Sequence, residues 1–164
     1  MVSEVIPASP VPARLIDIPL RKEVWCWRNG KVSVIKDGFV KSDFQCREFG
    51  SGPLSASVCI NSGVWVSRRD MPTLFLYHVH TRTLLHIYDL SPSAFSVKPS
   101  HTFGVSSLGI IGNLLVAGTT SGIIIALPLP KLPVSKPSIV GPASASLFGP
   151  TAKVQGELII GLFN

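Results

Sequence analysis

Residues 104–130 read GVSSLGIIGNLLVAGTTSGIIIALPLP and hold no charged side chain. A run this long and apolar has the length of a membrane-crossing helix. Its punctuation opposes that reading. Gly104, Gly109, Gly112, Gly118 and Gly122 are poor helix formers, and Asn113 and Thr119-Thr120-Ser121 interrupt the apolar residues. The apolar blocks 108–111, 114–117 and 123–127 are each of strand length. Gly112-Asn113 and Thr119-Thr120-Ser121-Gly122 between them have turn chemistry. The stretch therefore predicts three short strands joined by tight turns. Their lack of polar alternation predicts a sheet covered on both faces.

The same unit recurs toward the N-terminus. Val24-Trp25-Cys26, the turn Arg28-Asn29-Gly30 and Val32-Ser33-Val34 form one copy. Val64-Trp65-Val66, the turn 68–72 and Leu74-Phe75-Leu76-Tyr77 form a second. Leu115-Val116-Ala117 and 123–127 form the third. Trp25, Trp65 and Val116 occupy equivalent places in this repeat. Their spacings of 40 and 51 residues, with several strands per unit, mark propeller blades, whose repeats run to about 40–50 residues. Residues 84–90 supply a further strand in the second unit, 105–111 open the third, and 151–154 and 158–163 have strand character. The fold class is all-β, an incomplete β-propeller of about three blades, with residues 1–20 as an irregular lead-in and 21–163 as the partial propeller. A ring needs more blades, usually 4–8, so the reading is a fragment of a larger propeller. A compact β-sandwich built from the same hairpins is the alternative.

Composition agrees. Hydrophobic residues make up 46% of the chain and charged residues 15%, where an ordinary soluble domain carries about 25% charged. The net charge of +6 is scattered, with Arg21-Lys22 and Arg68-Arg69 the only adjacent basic pairs, and no basic run is interleaved with aromatics. A nucleic-acid face is therefore not expected. Cys26, Cys46 and Cys59 are odd in number and lack CxxC spacing, which excludes a disulfide framework and a zinc site and fits reduced thiols in a cytoplasmic protein. The opening residues 1–12 hold Glu4 and three prolines where a signal peptide would be apolar.

The series Val64-Trp65-Val66-Ser67, Thr73 to His78, Val105 to Leu108, Val116-Ala117-Gly118-Thr119, Gly122-Ile123 and Ala126 to Leu132 resembles the C-terminal WD40-like propeller region of a group of Rho guanine-nucleotide exchange factors. The likeness covers residues 20–155. The JNK-interacting scaffold proteins share part of it and match less well at 127–132. The resemblance implies a non-catalytic interaction module. The exchange activity of that group resides in a helical Dbl-homology domain with a pleckstrin-homology domain, and neither is present here. It also implies protein partners, among them components of Rho-family GTPase signalling reached through a longer parent. Residues 68–72 and 91–102 depart from the group's pattern.

Chemical motifs are sparse. His78 and His80 lie two apart on a strand end, so both could face one metal, but no third ligand adjoins them. Asp89 has the place of a turn cap or a partner of His86. No GxSxG, GxxxxGK or GxGxxG occurs, and no acid pair stands out for proton transfer. Pro130 to Pro133 forms one PxxP, read as a stiff inter-blade connection in preference to an SH3-type ligand. Catalytic residues, cofactors, metals and a membrane span are not expected; a small membrane protein built on 104–130 is the reading furthest from this one. Candidate partner-binding loops carry Arg68, Arg69 and Asp70, then His80 and Arg82, with 91–102 as a third loop.

Overall fold

The computed structural model describes residues 13–91 and 103–132, together with the backbone of Ile159–Leu162. Among these residues, twelve strands form three antiparallel sheets of four. The first blade holds β1 (Arg14–Ile18), β2 (Glu23–Arg28), β3 (Lys31–Lys36) and β4 (Phe39–Gln45). The second holds β5 (Leu54–Ile60), β6 (Gly63–Arg68), β7 (Thr73–His78) and β8 (Leu84–Asp89). The third holds β9 (Val105–Ile111), β10 (Leu114–Thr119), β11 (Ile123–Pro128) and β12 (Ile159–Leu162). Within each blade the strands lie in chain order. The leading strands β1, β5 and β9 approach one another from blade to blade.

Residues 104–130 thus form β9, β10 and β11, the three strands their glycines predict. Among the described residues no helix is long and apolar enough to cross a membrane. Residues 14–18 fall inside the stretch read as an irregular lead-in, yet they form β1, with Ile16 and Ile18 buried. A 3₁₀ turn, Pro19–Arg21, leads from β1 to β2. Strands β4 and β5 complete their blades from segments the repeat did not mark. Residues 151–154 lie outside the described residues, as does loop 92–102.

Turn chemistry sets the hairpins. Asn29 and Gly30 have φ of 53° and 76°, and Asp37 and Gly38 have 53° and 79°. Two consecutive positive φ angles match the twist of the flanking strands, and Asn-Gly and Asp-Gly adopt them readily. Gly30 also lacks room for a side chain, because a Cβ there would lie 2.2 Å from the Gly50 carbonyl oxygen. The link between the first two blades rests on that bare backbone.

Two hydrophobic cores fill the seams. Trp25, Trp27, Val32 and Val34 of the first blade meet Val64, Val66, Phe75 and Tyr77 of the second. Trp65, Leu74 and Leu76 then project from the opposite face of the second blade onto Leu115, Ala117, Ile125 and Leu127 of the third. Side chains alternate across a strand, so consecutive residues of β6 enter different cores. Gly63 through Ser67 are all buried for that reason. The Trp27 ring stands edge-on to Phe49 at 5.0 Å and to Tyr77 at 5.9 Å, crossing the first seam.

Polar bonds also cross the seams. Ser55 is the extra residue of a bulge between Leu54 and Ala56. Its hydroxyl reaches the Val105 carbonyl at 2.6 Å, tying β5 to β9. Gly104 packs against the Arg69 carbonyl so closely that a Cβ would fall 1.6 Å from it.

Burial shapes the titration of groups in both cores. It pushes the Cys46 thiol up to about 12 and Cys59 up to about 11, from 9.0. It also raises Tyr77 and Tyr88 above the usual phenol range. The folded chain therefore holds protons that the unfolded chain releases. This contribution to stability is complete below pH 9 and is lost as pH climbs through the folded-state values. The melting temperature should fall steadily above pH 9, and a melting temperature constant between pH 9 and 11 would contradict the burial of these groups.

Candidate functional site

The loops singled out in the sequence sit at opposite ends of the blades. Arg68, Arg69 and Asp70 lie at the β6–β7 turn, and His80 and Arg82 lie in the β7–β8 loop. The six residues of β7 separate them, a strand length of about 20 Å at ~3.3 Å per residue. The structure does not bring the two groups together.

At the first end, Arg68 is turned inward. Its Nε and Nη2 donate to the two Asp70 oxygens at 2.8 and 2.5 Å, and Nη1 donates to the Phe49 carbonyl at 2.9 Å. The guanidinium lies 5.9 Å from the Phe49 ring centre. Gly50 and Gly52 pass directly over it. The hydrogen bond from Arg68 holds the Asp70 carboxyl below the usual carboxylate range. This pair fastens the inter-blade link 46–53 to the second blade. Asp70 remains 58% exposed on its side chain and Arg69 is exposed, so these two present the turn to solvent.

At the other end a charged seam joins the first two blades. Glu23 opens β2 with its side chain only 2% exposed. Its Oε1 accepts from Arg21 Nη2 at 3.1 Å and from Arg82 Nη2 at 3.4 Å. Trp25 Nε1 donates to Oε2 at 3.4 Å. A buried carboxylate needs such donors to offset the loss of water. Arg82 has φ 57° and reaches back to the first blade, where Nη1 donates to Ser42 Oγ at 2.8 Å and the guanidinium lies 5.8 Å from the Phe44 ring centre. Arg21 Nη1 stands 3.3 Å from His80 Nδ1. Arginine has only donors, so Nδ1 is the acceptor in that contact. The 3₁₀ turn and the β7–β8 loop thereby clasp each other across the seam.

Arg21, Lys22 and Glu23 were missing from the candidate residues, although Arg21-Lys22 was visible as a basic pair. The available signal was a carboxylate placed between that pair and the apolar run 24–27. Acids at the mouth of a buried strand need cations close by.

His78 is fully buried and its Nδ1 accepts from the amides of His80 and Thr81 at 3.2 and 3.5 Å. The nitrogen therefore closes the turn. Asp89 Oδ1 and Oδ2 accept from Ser91 N and Oγ at 2.8 and 3.0 Å, so it caps the end of β8. Among the described residues no three His, Cys, Asp or Glu are grouped to hold a metal.

Trp25, Trp65 and Val116 are each the third residue of the second strand of their blade. Trp25 is buried against the second blade and Trp65 against the third. On β10 it is Leu115 and Ala117 that face back into the second core, which turns Val116 away from it. Val116 is only half-buried, and Ile111 at the edge of the same sheet is 68% exposed. Among the described residues the third blade therefore shows an apolar face where the other two meet a following blade.

Comparison with known proteins matches this architecture. C-Jun-amino-terminal kinase-interacting protein 3 of Rattus norvegicus is 34% identical over 113 residues, covering 65% of this chain and 8% of that protein. Rho guanine nucleotide exchange factor 10-like protein of Bos taurus is 28% identical over 149 residues, covering 88% of this chain and 12% of that protein. The chain thus spans about a tenth of the length of these relatives. The crystal structure of Saccharomyces cerevisiae Sqt1 superposes with a TM-score of 0.52 at 17% identity, covering 72% of this chain and 32% of that one. The likeness to Sqt1 shows the propeller fold alone. The family model of the WD40 repeated domain matches residues 8–156, and with three four-stranded blades stacked in chain order, this chain belongs to that family.

Proposed function

We propose that the chain is a non-catalytic protein-interaction module, part of a Rho guanine-nucleotide exchange factor-like protein that acts in the cytoplasm on Rho GTPase signalling. The observation that carries this reading is the extent of the exchange-factor match, 88% of the chain. The architecture supports it: stiff blades fastened at both seams leave their connecting loops as the parts that vary and recognise. The interaction unit is the partial propeller of residues 21–163, extended back to β1. Its third blade presents the face around Val116 to the remainder of a larger propeller. Exchange activity then belongs to a separate helical segment of the parent.

A second reading, a propeller region of a JNK-interacting scaffold, is favoured by the higher identity of 34% over a shorter span. Calorimetric titration of the chain separates the two. The first expects binding to the Dbl-homology and pleckstrin-homology segment of the exchange-factor relative, with no acceleration of nucleotide release from a Rho-family GTPase. The second expects binding to a c-Jun amino-terminal kinase. Binding to neither overturns both, and accelerated nucleotide release overturns the non-catalytic assignment.

A further inference from the structure

The end of the first seam holds more positive than negative charge. Arg21 and Arg82 share the single buried carboxylate of Glu23, and their side chains stay 33% and 24% exposed. Lys22 is exposed in the same loop, held at φ 52° with its backbone N–H bonded to the Pro19 carbonyl at 3.1 Å. Its side chain has no ion-pair or hydrogen-bond partner among the described residues. Lys36 ends β3 at this end of the blade. Against these cations stand Glu23, already engaged, the exposed Asp17 near the end of β1 and Asp37 at the β3–β4 turn, three carboxylates to the four cations. The guanidiniums are also pre-positioned. Arg82 is fixed by Ser42 and the Phe44 ring, and Arg21 by Glu23 and His80. Each keeps spare N–H donors beyond those bonds. Donors already ordered bind a carboxylate with less loss of side-chain freedom. Leu20, next to the basic pair, is 41% exposed, which adds an apolar contact beside the charges.

Resting on the module reading above, we propose that this seam, formed by Leu20, Arg21, Lys22, His80 and Arg82, is the docking site for an acidic peptide segment that carries an apolar residue beside its carboxylates. A peptide suits the site better than a nucleic acid. None of the large hydrophobic residues exposed among the described ones is aromatic, so no stacking platform for bases accompanies the arginines.

Fluorescence anisotropy with a labelled peptide of repeated Glu-Glu-Leu tests the site on the full chain. The peptide should bind, and its Lys-Lys-Leu counterpart should not. Binding should weaken as salt is raised. Lys22→Glu should weaken binding by about tenfold and Lys22→Gln by a smaller factor, because charge reversal adds repulsion to the lost attraction. The Lys22 side chain is exposed and bonded to nothing among the described residues, and either substitution keeps the backbone bond to Pro19, so both variants should melt like the parent chain. Arg69→Glu, at the opposite end of the blades, should change binding by less than about twofold. Absence of binding by the acidic peptide, equal weakening in R69E and K22E, or tighter binding of an oligothymidine would each overturn the site. If partner proteins still bind in that event, the seam is rejected and the module reading stands.

Discussion

Replacing Trp65 by alanine is expected to lower the unfolding free energy by about 3–5 kcal/mol, the usual cost of emptying a large aromatic site. Trp65 is 1% exposed and joins Leu74, Leu76, Leu115 and Leu127 in the core between the second and third blades. No neighbour can collapse into the space without pulling the two sheets together. Val116 holds the equivalent place in β10 but faces no following blade among the described residues. Val116→Ala should therefore cost less than about 1 kcal/mol. Urea denaturation of both variants measures the contrast. Equal losses would mean that Val116 is as enclosed as Trp65 and that the stacking order is wrong.

The second large effect is expected at Glu23. Removing one member of a buried ion cluster strands the others. In Glu23→Ala the Trp25 indole loses its acceptor, and Arg21 and Arg82 each lose one while keeping His80 and Ser42. The arginines are partly exposed and can recover water, so the cost should be about 2 kcal/mol rather than the 3–5 typical of fully enclosed pairs. Glu23→Gln keeps one acceptor oxygen and should cost about half as much. A double-mutant cycle with Arg82→Ala should show a coupling of about 1 kcal/mol. Strict additivity would place Arg82 in solvent, away from the first blade.

The hairpins were legible in the sequence because both faces of their strands are buried. Residues 64–66 and 74–77 read as unbroken apolar runs for this reason. The three strands hidden in 104–130 read the same way, but the expectation of cover on both faces is not met among the described residues: Leu115 and Ala117 of β10 are buried while Val116 is only half-buried and Ile111 of β9 is 68% exposed. Partly exposed strands were harder to see. β4, with the sequence FVKSDFQ, alternates half-buried and exposed residues and contains Lys41 and Asp43. β5, with the sequence LSASVCI, lacks an unbroken apolar run, and its Ser55 hydroxyl serves the close approach of β5 to β9 by bonding the Val105 carbonyl. The dipeptide Asp37-Gly38 would have marked the β3–β4 turn, since that pair readily takes two positive φ angles.

The site was less legible. Arg68 and Arg82 look in sequence like ordinary loop arginines on display. Both instead reach toward the first blade, Arg68 to a carbonyl in the link that follows it and Arg82 to a carboxylate and a hydroxyl within it. Their partners lie 19, 40 and 59 residues away in the chain. A local pattern cannot foresee contacts of that range, because they depend on how the blades stack. Asp89, whose partner is only two residues away, was read from its position as a turn cap or a partner of His86, and the bonds to Ser91 make it a cap.

The stacking of blades in chain order is tested most directly by nuclear Overhauser contacts from the Trp27 ring. The Trp27 ring protons should show cross-peaks to Tyr77, whose ring centre lies 5.9 Å away across the first seam. Cross-peaks from Trp27 to Leu115 or Ile125, with none to Tyr77, would place the first blade on the third and contradict the propeller arrangement.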